Sequence, residues 1–288
     1  MRIFKHWDGP DPGNTPGRVF TASIGQEQMT VAGAFLDHLR IGLKGAVATS
    51  AVAIEDFVDV LSEFDLWVGP DLRIKADGND LCALMSLYYR QMPSLGENSD
   101  ATGNDFVSGL KVPVQVAADP AKPFTMAATR AAVTNIATET ISVTGHWLDA
   151  NPGRKPIHAV VVTFTSAAST GDEIKDFRIA PVGRLVAMIL AMPAASDFTD
   201  GNIDISAQRV KLLKDSEAVC ELNVLGDAEA IEEVNHVSLS IFGDLLTRYK
   251  RFDFRPEGFD LKSGIFNLKL DNQDASDAIR FIPVIEME

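Results

Sequence analysis

The sequence predicts an all-β protein made of two β-sandwiches with a few short helices, and three observations carry that reading. Most segments alternate apolar and polar residues, as half-buried strands do. Turn signals cut these segments roughly every 8–15 residues. Much of the pattern of the first half returns, in order, in the second.

The clearest stretch runs from His38 to Leu87. In HLRIGLKGAVAT, Leu39, Ile41, Leu43 and Val47 fall on one side, and Arg40, Lys44 and Ala46 on the other. That period of two describes a strand with one buried face. FDLWVGPDLRIKADG follows, where Phe64, Leu66 and Val68, then Leu72 and Ile74, alternate with polar neighbours around a kink or bulge at Gly69–Pro70. NDLCALMSLYY places Leu81, Leu84, Met85 and Tyr88 at helical spacing behind an Asn79/Asp80 cap.

The rest is assigned in chain order. Residues 1–17, with Pro10, Pro12, Pro16, Gly9, Gly13 and Gly17, read as an extended N-terminal arm with Phe4 and Trp7 as anchors. Arg18–Ser23 is a short strand. Phe106–Val116 is a strand with Leu110, Val112, Val114 and Val116 inward and Pro113 at an edge or bulge. Residues 117–138, rich in Ala and Thr, take no assignment. Thr140–Leu148 is a strand, and ANPGRKP supplies a linker at 151–156. Beyond it, Ile157–Thr165 alternates, and Arg184–Met192 is apolar enough for a strand covered on both faces. Ile203–Lys214 and Ala218–Leu225 form a strand pair turning at Asp215–Ser216. Residues 227–246 suit both a helix (Ile231, Val234, Ile241, Leu245) and a strand (Val237, Leu239, Ile241), and are assigned as a helix from Asp227 that gives way to extended chain near His236. Ser263–Leu270 and Ile279–Ile285 close the chain. The division is therefore a first sandwich at 18–150 and a second at 157–288.

Bulk properties exclude several classes. A net charge of −14, with 26 scattered basic residues, argues against direct nucleic-acid binding over a broad surface. Cys82 and Cys220 each lie in an apolar run and read as buried free thiols. The start carries no apolar leader, and no run of about 18 uncharged apolar residues occurs, so a soluble intracellular chain is expected.

The internal repeat is visible at several points. SIGQE at 23–27 is echoed by STGDE at 169–173, each after a Phe–Thr pair, and Arg40 and Arg184 open the next strong strands. LRIKADGNDLCAL at 72–84 answers VKLLKDSEAVCEL at 210–222, which aligns Cys82 with Cys220. SGLKVPVQV at 108–116 answers SGIFNLKLD at 263–271. A repeated unit of about 140 residues with seven or eight strands has the size of a jelly roll.

In this order of elements the chain resembles a known family. The SxGxE turn, the LRIGLKG strand, a strand ending in D-G-x-D-L, a short helix, the GRLVAMILAMP strand and the tail FDLKSGIFNLKL are similar to the double jelly-roll major capsid proteins of tailless icosahedral viruses with an internal membrane. These form the adenovirus-like capsid lineage. The resemblance is one of pattern from about Arg18 to the end, and a single roll with insertions is the other arrangement of this length. It implies two jelly rolls side by side, no enzymatic activity, and homotrimeric capsomers with a six-fold outline. It implies as partners neighbouring capsomers, penton or membrane proteins and an internal lipid membrane, touched by Phe4, Lys5 and Trp7. The location implied is the virion capsid, with assembly in the host cytoplasm.

Other sites are weighed on their chemistry. His6, His38, His146, His158 and His236 show no ligand spacing, and no nucleophile elbow or phosphate loop occurs. Ser108–Gly109 and Ser263–Gly264 start strands. No cofactor is expected except calcium, for which Asp197, Asp200 and Asp204, with Asp271, Asp274 and Asp277, offer carboxylates on turns; solvated turn acids are the plainer reading. Trp67, Trp147, Tyr88 and Tyr89 would serve a carbohydrate-binding or adhesive module, the alternative function, if they formed an exposed platform; core or inter-subunit packing is the reading preferred.

Overall fold

Alternating strands are stable only when their apolar faces close on each other, and this chain does so twice. The structure, a computed structural model, describes residues 2–8, 19–24, 34–89, 91, 93–95, 101–119, 121–165, 171–176, 183–191, 207–223, 249–263, 266–272 and 278–287. Contacts divide the chain into two units, Met1–Val160 and Val161–Glu288.

In the first unit the strands are β1 (Arg2–Asp8), β2 (Val19–Ile24), β3 (Phe35–Val47), β4 (Leu61–Val68), β5 (Asp71–Ala76), β6 (Ser94–Leu95), β7 (Asp105–Ala117), β8 (Phe124–Arg130), β9 (Ile136–Leu148) and β10 (Ile157–Val160). Helix α1 (Ile54–Asp59) precedes β4, and α2 (Gly78–Ala83) follows β5 and runs into a π-helical turn at Leu84–Tyr88. One sheet has the order β1-β9-β3-β7-β6, the other β10-β5-β4-β8-β2. The short β10 pairs parallel with β5, so the first unit reaches past the linker at 151–156 to Val160. The segment expected as an extended arm anchored on a neighbour supplies β1, paired antiparallel with β9 from Arg2↔Trp147 to Asp8↔Ser142.

The second unit contains β11 (Val162–Thr165), β12 (Gly171–Asp176), β13 (Arg184–Ala191), β14 (Ala207–Lys214), β15 (Glu217–Asn223), β16 (Tyr249–Asp253), β17 (Phe259–Asp260), β18 (Phe266–Asn272) and β19 (Ala278–Glu286). Its sheets run β11-β19-β13-β16, with β17 also on β13, and β12-β18-β14-β15. Set aside the minor strands β6, β10 and β17, and number the remaining eight in each unit. Both units then read 1-8-3-6 in one sheet and 2-7-4-5 in the other. That is jelly-roll order, used twice.

The repeat is real, but it runs in a different register from the sequence matches. Hairpin β14–β15 lies 146 positions after β4–β5, from Leu61 to Ala207 and from Asp71 to Glu217. Each hairpin carries a bulge at the same place, between Leu66 and Trp67 in one and between Leu212 and Leu213 in the other. Their turns need a left-handed backbone, met by Gly69 (φ 58°) in the first and by Asp215 and Ser216 (φ 50° and 74°) in the second. Cys220, opposite Leu212, therefore corresponds to Ile74, opposite Leu66, and not to Cys82, which lies on α2. Likewise 108–116 lies in the sixth strand and 263–271 leads into the seventh, so that match joins unlike strands.

Local chemistry explains the elements. Asp77 is the N-cap of α2, its side chain accepting from the Asp80 amide at 2.8 Å, just ahead of the Asn79/Asp80 cap expected. Asn79 instead donates to Asp59 at the end of α1, at 2.7 Å. In the unassigned 117–138 stretch, β8 alternates inward at Phe124, Met126, Ala128 and Arg130. Pro113 sits opposite His38 beside a bulge, where Gln115 takes φ 54°. The first core is closed by Trp147, fully buried, with Phe124 edge-on at 6.0 Å. The second packs Leu185, Met188 and Leu190 of β13 against Leu212, Leu268 and Phe281. The other face of β13 is buried too, as its apolar run requires. Residues 227–246 lie outside the described residues.

Gly78 opens α2 against the end of α1, and a Cβ there would meet the Val58 carbonyl oxygen at 1.8 Å. Backbone cannot swing aside as a flexible side chain does. Gly78→Ala is expected to lower stability by about 3 kcal/mol or more in urea unfolding. Gly103→Ala, into open space but at φ 86°, is expected to cost about 1 kcal/mol.

Candidate assembly surfaces

On β3 the odd positions from Leu39 to Val47 enter the core, which turns His38, Arg40, Gly42 and Lys44 to the other face. Register carries that face across the sheet. Arg40 stands opposite Lys111 of β7 and Thr144 of β9, Lys44 opposite Val107 and Thr140, and Gly42 opposite Gly109 and Ser142. Lys5 of β1 is opposite Thr144, in the same row as Arg40 and Lys111. Gly109 leaves room for the Arg40 side chain, since a Cβ there would lie 2.7 Å from Nε. The result is a face that carries Arg40, Lys44 and Lys111, with Lys5 in register beside them, on a chain whose net charge is −14.

At one end of this face the bulge brings four groups together. His38 and His146 stack at 4.0 Å between ring centroids. Asp37 accepts from His38 Nδ1 at 2.8 Å and pairs with Arg154 of the linker. The other end of the unit is tied by Asn135. Its Oδ1 accepts from Thr49 and from Ser50 (3.0 Å), and its Nδ2 donates to Asp56 at 3.0 Å. Thr102 adds a bond to the Thr49 carbonyl at 3.0 Å, so three connections share one network.

In the second unit, Asp253 of β16 receives Arg255 at 2.9 and 2.6 Å and pairs with the buried Arg251. Burial raises its pKa, but the Arg255 bonds and the Arg251 charge outweigh that and hold it down at about 2. This is an ionic clamp at a strand end rather than an acid poised for proton transfer.

The sequence-derived candidates divide clearly. Phe4, Lys5, Trp7 and His6 lie on β1, and Asp271 lies on β18 opposite Asp172 and Arg209 in register. Asp197, Asp200, Asp204, Asp274, Asp277 and His236 lie outside the described residues. Among the described residues no three His, Cys, Asp or Glu side chains gather to hold a metal. Trp147 and Tyr88 are buried, so with Trp67 and Tyr89 they make no exposed sugar platform. Cys82 and Cys220 are free thiols. No described helix is long and apolar enough to cross a membrane. The histidine stack was missed because its partners are adjacent only through register; the cations were legible as the polar half of HLRIGLKG.

No protein-family model and no curated protein matches the sequence. Solved structures do. The crystal structure of the STIV major capsid protein aligns over 99% of this chain and 96% of its own, with a TM-score of 0.71 and 11% identity. The PBCV-1 virus capsid structure aligns over 99% and 94%, with a TM-score of 0.61 and 8% identity. The major capsid protein of bacteriophage PM2 aligns over 100% and 98%, with a TM-score of 0.58 and 12% identity. At such identities the likeness is one of fold, and it runs from end to end.

The histidine cluster makes stability depend on pH. Burial is the main cause that lowers His38 from 6.5 to about 4, with Lys111 and His146 adding to it and Asp37 opposing. His146 is lowered by burial and then by Lys111 and Arg40. Burial raises Asp37, but bonds from His38 and the Arg154 charge outweigh it, so that carboxylate stays ionised. The fold thus holds neutral His38. Between pH 6.5 and about 4 the unfolded chain binds the proton that the folded chain refuses, so stability falls as pH falls. From pH 7.5 to pH 5 the expected loss is about 2 kcal/mol by urea unfolding, and His38→Gln is expected to remove most of it.

Proposed function

We propose that this chain, which has the double jelly-roll fold of viral major capsid proteins, is itself a major capsid subunit. In this reading it performs no catalysis and works by self-association into an icosahedral shell. The observation that carries it is the end-to-end match with capsid subunits, both rolls included and little of either chain left over. A jelly roll repeated with one strand order presents two similar lobes. Three chains then offer six lobes to a hexagonal lattice while obeying three-fold symmetry. Tying loops at a roll's end, as Asn135 does, keeps such a lobe rigid enough to tile.

The working form is a homotrimer whose partners are other copies and further virion proteins, within a virion capsid. Phe4, Lys5 and Trp7 stay candidates for contact with a neighbouring capsomer or an internal lipid surface, held now on a paired strand. Size-exclusion chromatography with light scattering tests the reading. A mass three times the chain's 31.2 kDa is expected, with particles on concentration. A chain that stays monomeric at high concentration and never forms particles contradicts it.

A further inference from the structure

The two rolls are built alike but are not covered alike. In the second unit both faces of β13 are buried. In the first, the face of β1, β9, β3 and β7 that points away from the core is open. Arg40 is exposed and Lys111 half-buried. Ile3 at 58% and Val107 at 55%, the large apolar side chains described as exposed in this unit, both lie on it. Ile3 stands opposite His146 and Val107 opposite Lys44.

Charge on this open face is gathered rather than spread. Lys44, at one end, has Asp105 at 3.9 Å, and the next row, Gly42 opposite Gly109 and Ser142, is uncharged. Because Gly109 has no side chain, the Arg40 guanidinium lies against β7 there; a Cβ on Gly109 would be 2.7 Å from Nε and 2.8 Å from Nη2. Lys111 is two residues further along the same strand and so shares that face. Two cations are thereby held side by side, and among the described residues neither pairs with a carboxylate. Beside them lies the stack of His38 and His146. Its acid, Asp37, is engaged by His38 on one oxygen and by Arg154 on the other. Opposite His38 on β7 stands Pro113, and opposite His146 on β1 stands Ile3, with Lys5 one row on. Burial first, then Lys111 and the neighbouring ring, lowers His38, and burial, then Lys111 and Arg40, lowers His146. Four basic groups thus face one carboxylate whose oxygens are both engaged. The cluster is bounded by Pro113 and Ile3 on one side and by the glycine row on the other. That suits one small anion rather than a polymer, which needs cations repeated along a track.

We propose that Arg40 and Lys111, with Thr144 and the His38–His146 stack beside them, form a site for one inorganic tetrahedral dianion, sulfate or phosphate. The anion's charge offsets the repulsion between Arg40 and Lys111, and the guanidinium supplies paired N–H donors to its oxygens. With Lys111 neutralised, the rings of the stack accept a proton more readily, so binding takes up protons. The site lies within the first unit and needs no second copy, so it is independent of assembly.

Equilibrium dialysis of the full chain against radiolabelled sulfate, with chloride holding the ionic strength, tests this, and thermal melting checks folding. Saturable binding of one sulfate per chain is expected, at least about twofold tighter at pH 5 than at pH 7.5. Lys111→Gln is expected to weaken it about tenfold. Gly109→Ala, which moves Arg40 off β7, is expected to weaken it severalfold. Arg40→Lys, which keeps the charge and loses the planar fork, is expected to do the same and stands in should Gly109→Ala fold poorly. Lys44→Gln, on the same face but beside Asp105, is expected to bind as the wild type does. No saturable binding, or binding that Lys111→Gln and Arg40→Lys leave unchanged, overturns the proposal. Equal losses in Lys44→Gln and Lys111→Gln mean charge spread over the whole face, and overturn it too. Binding that ignores pH overturns the part given to the histidines. Saturable binding by a chain that stays monomeric supports the site while contradicting the capsid reading.

Discussion

Each unit depends on one late pairing, in which its last strand enters between its first and third. In the first unit β9 lies between β1 and β3, and Phe35 is paired with Leu148 across most of the unit. In the second, β19 lies between β11 and β13. Without that strand, two neighbours would each leave a row of amides and carbonyls unpaired beside an apolar core. The same strand carries Trp147 in the first unit and Phe281 in the second, both fully buried. Hydrogen bonding and core closure are thus completed by one element. Pairings of such long sequence separation fold slowly.

Once both rolls share that plan, their differences acquire meaning. The third strand of the first roll alternates and keeps a cationic face, whereas the third strand of the second roll is apolar on both faces. The same strand order therefore carries unlike exteriors in the two rolls. In the second roll the buried Arg251 is tolerated because it pairs with the half-buried Asp253, which the exposed Arg255 also meets.

Much of this was legible before any coordinates. Alternation marked β3, the continuous run marked β13, and Asp215–Ser216 marked the β14–β15 turn. The register of the repeat was not legible. Strands of period two match one another at any even shift, so residues 72–84 aligned with 210–222 on apolar spacing and a shared cysteine. The true equivalence is set by the bulges and turns, where Gly69 and the Asp215–Ser216 pair do the same work with different residues. Strand β8 was hidden because Ala127 and Ala128 give little hydropathic contrast, and its last inward residue is the buried Arg130. On the open face the cations Arg40, Lys44 and Lys111 could be read from the sequence, but not that Ile3 and Val107 join them. That juxtaposition exists only through pairing across three strands.

As the proposed capsid subunit, a chain that uses one strand plan twice lets three copies imitate a hexagon. Averaged electron micrographs of the isolated, unstained oligomer in vitreous ice test this most directly. The account predicts a three-fold particle with six lobes of nearly equal size. A two-fold particle, or a ring whose lobe number is not twice its number of chains, would contradict it.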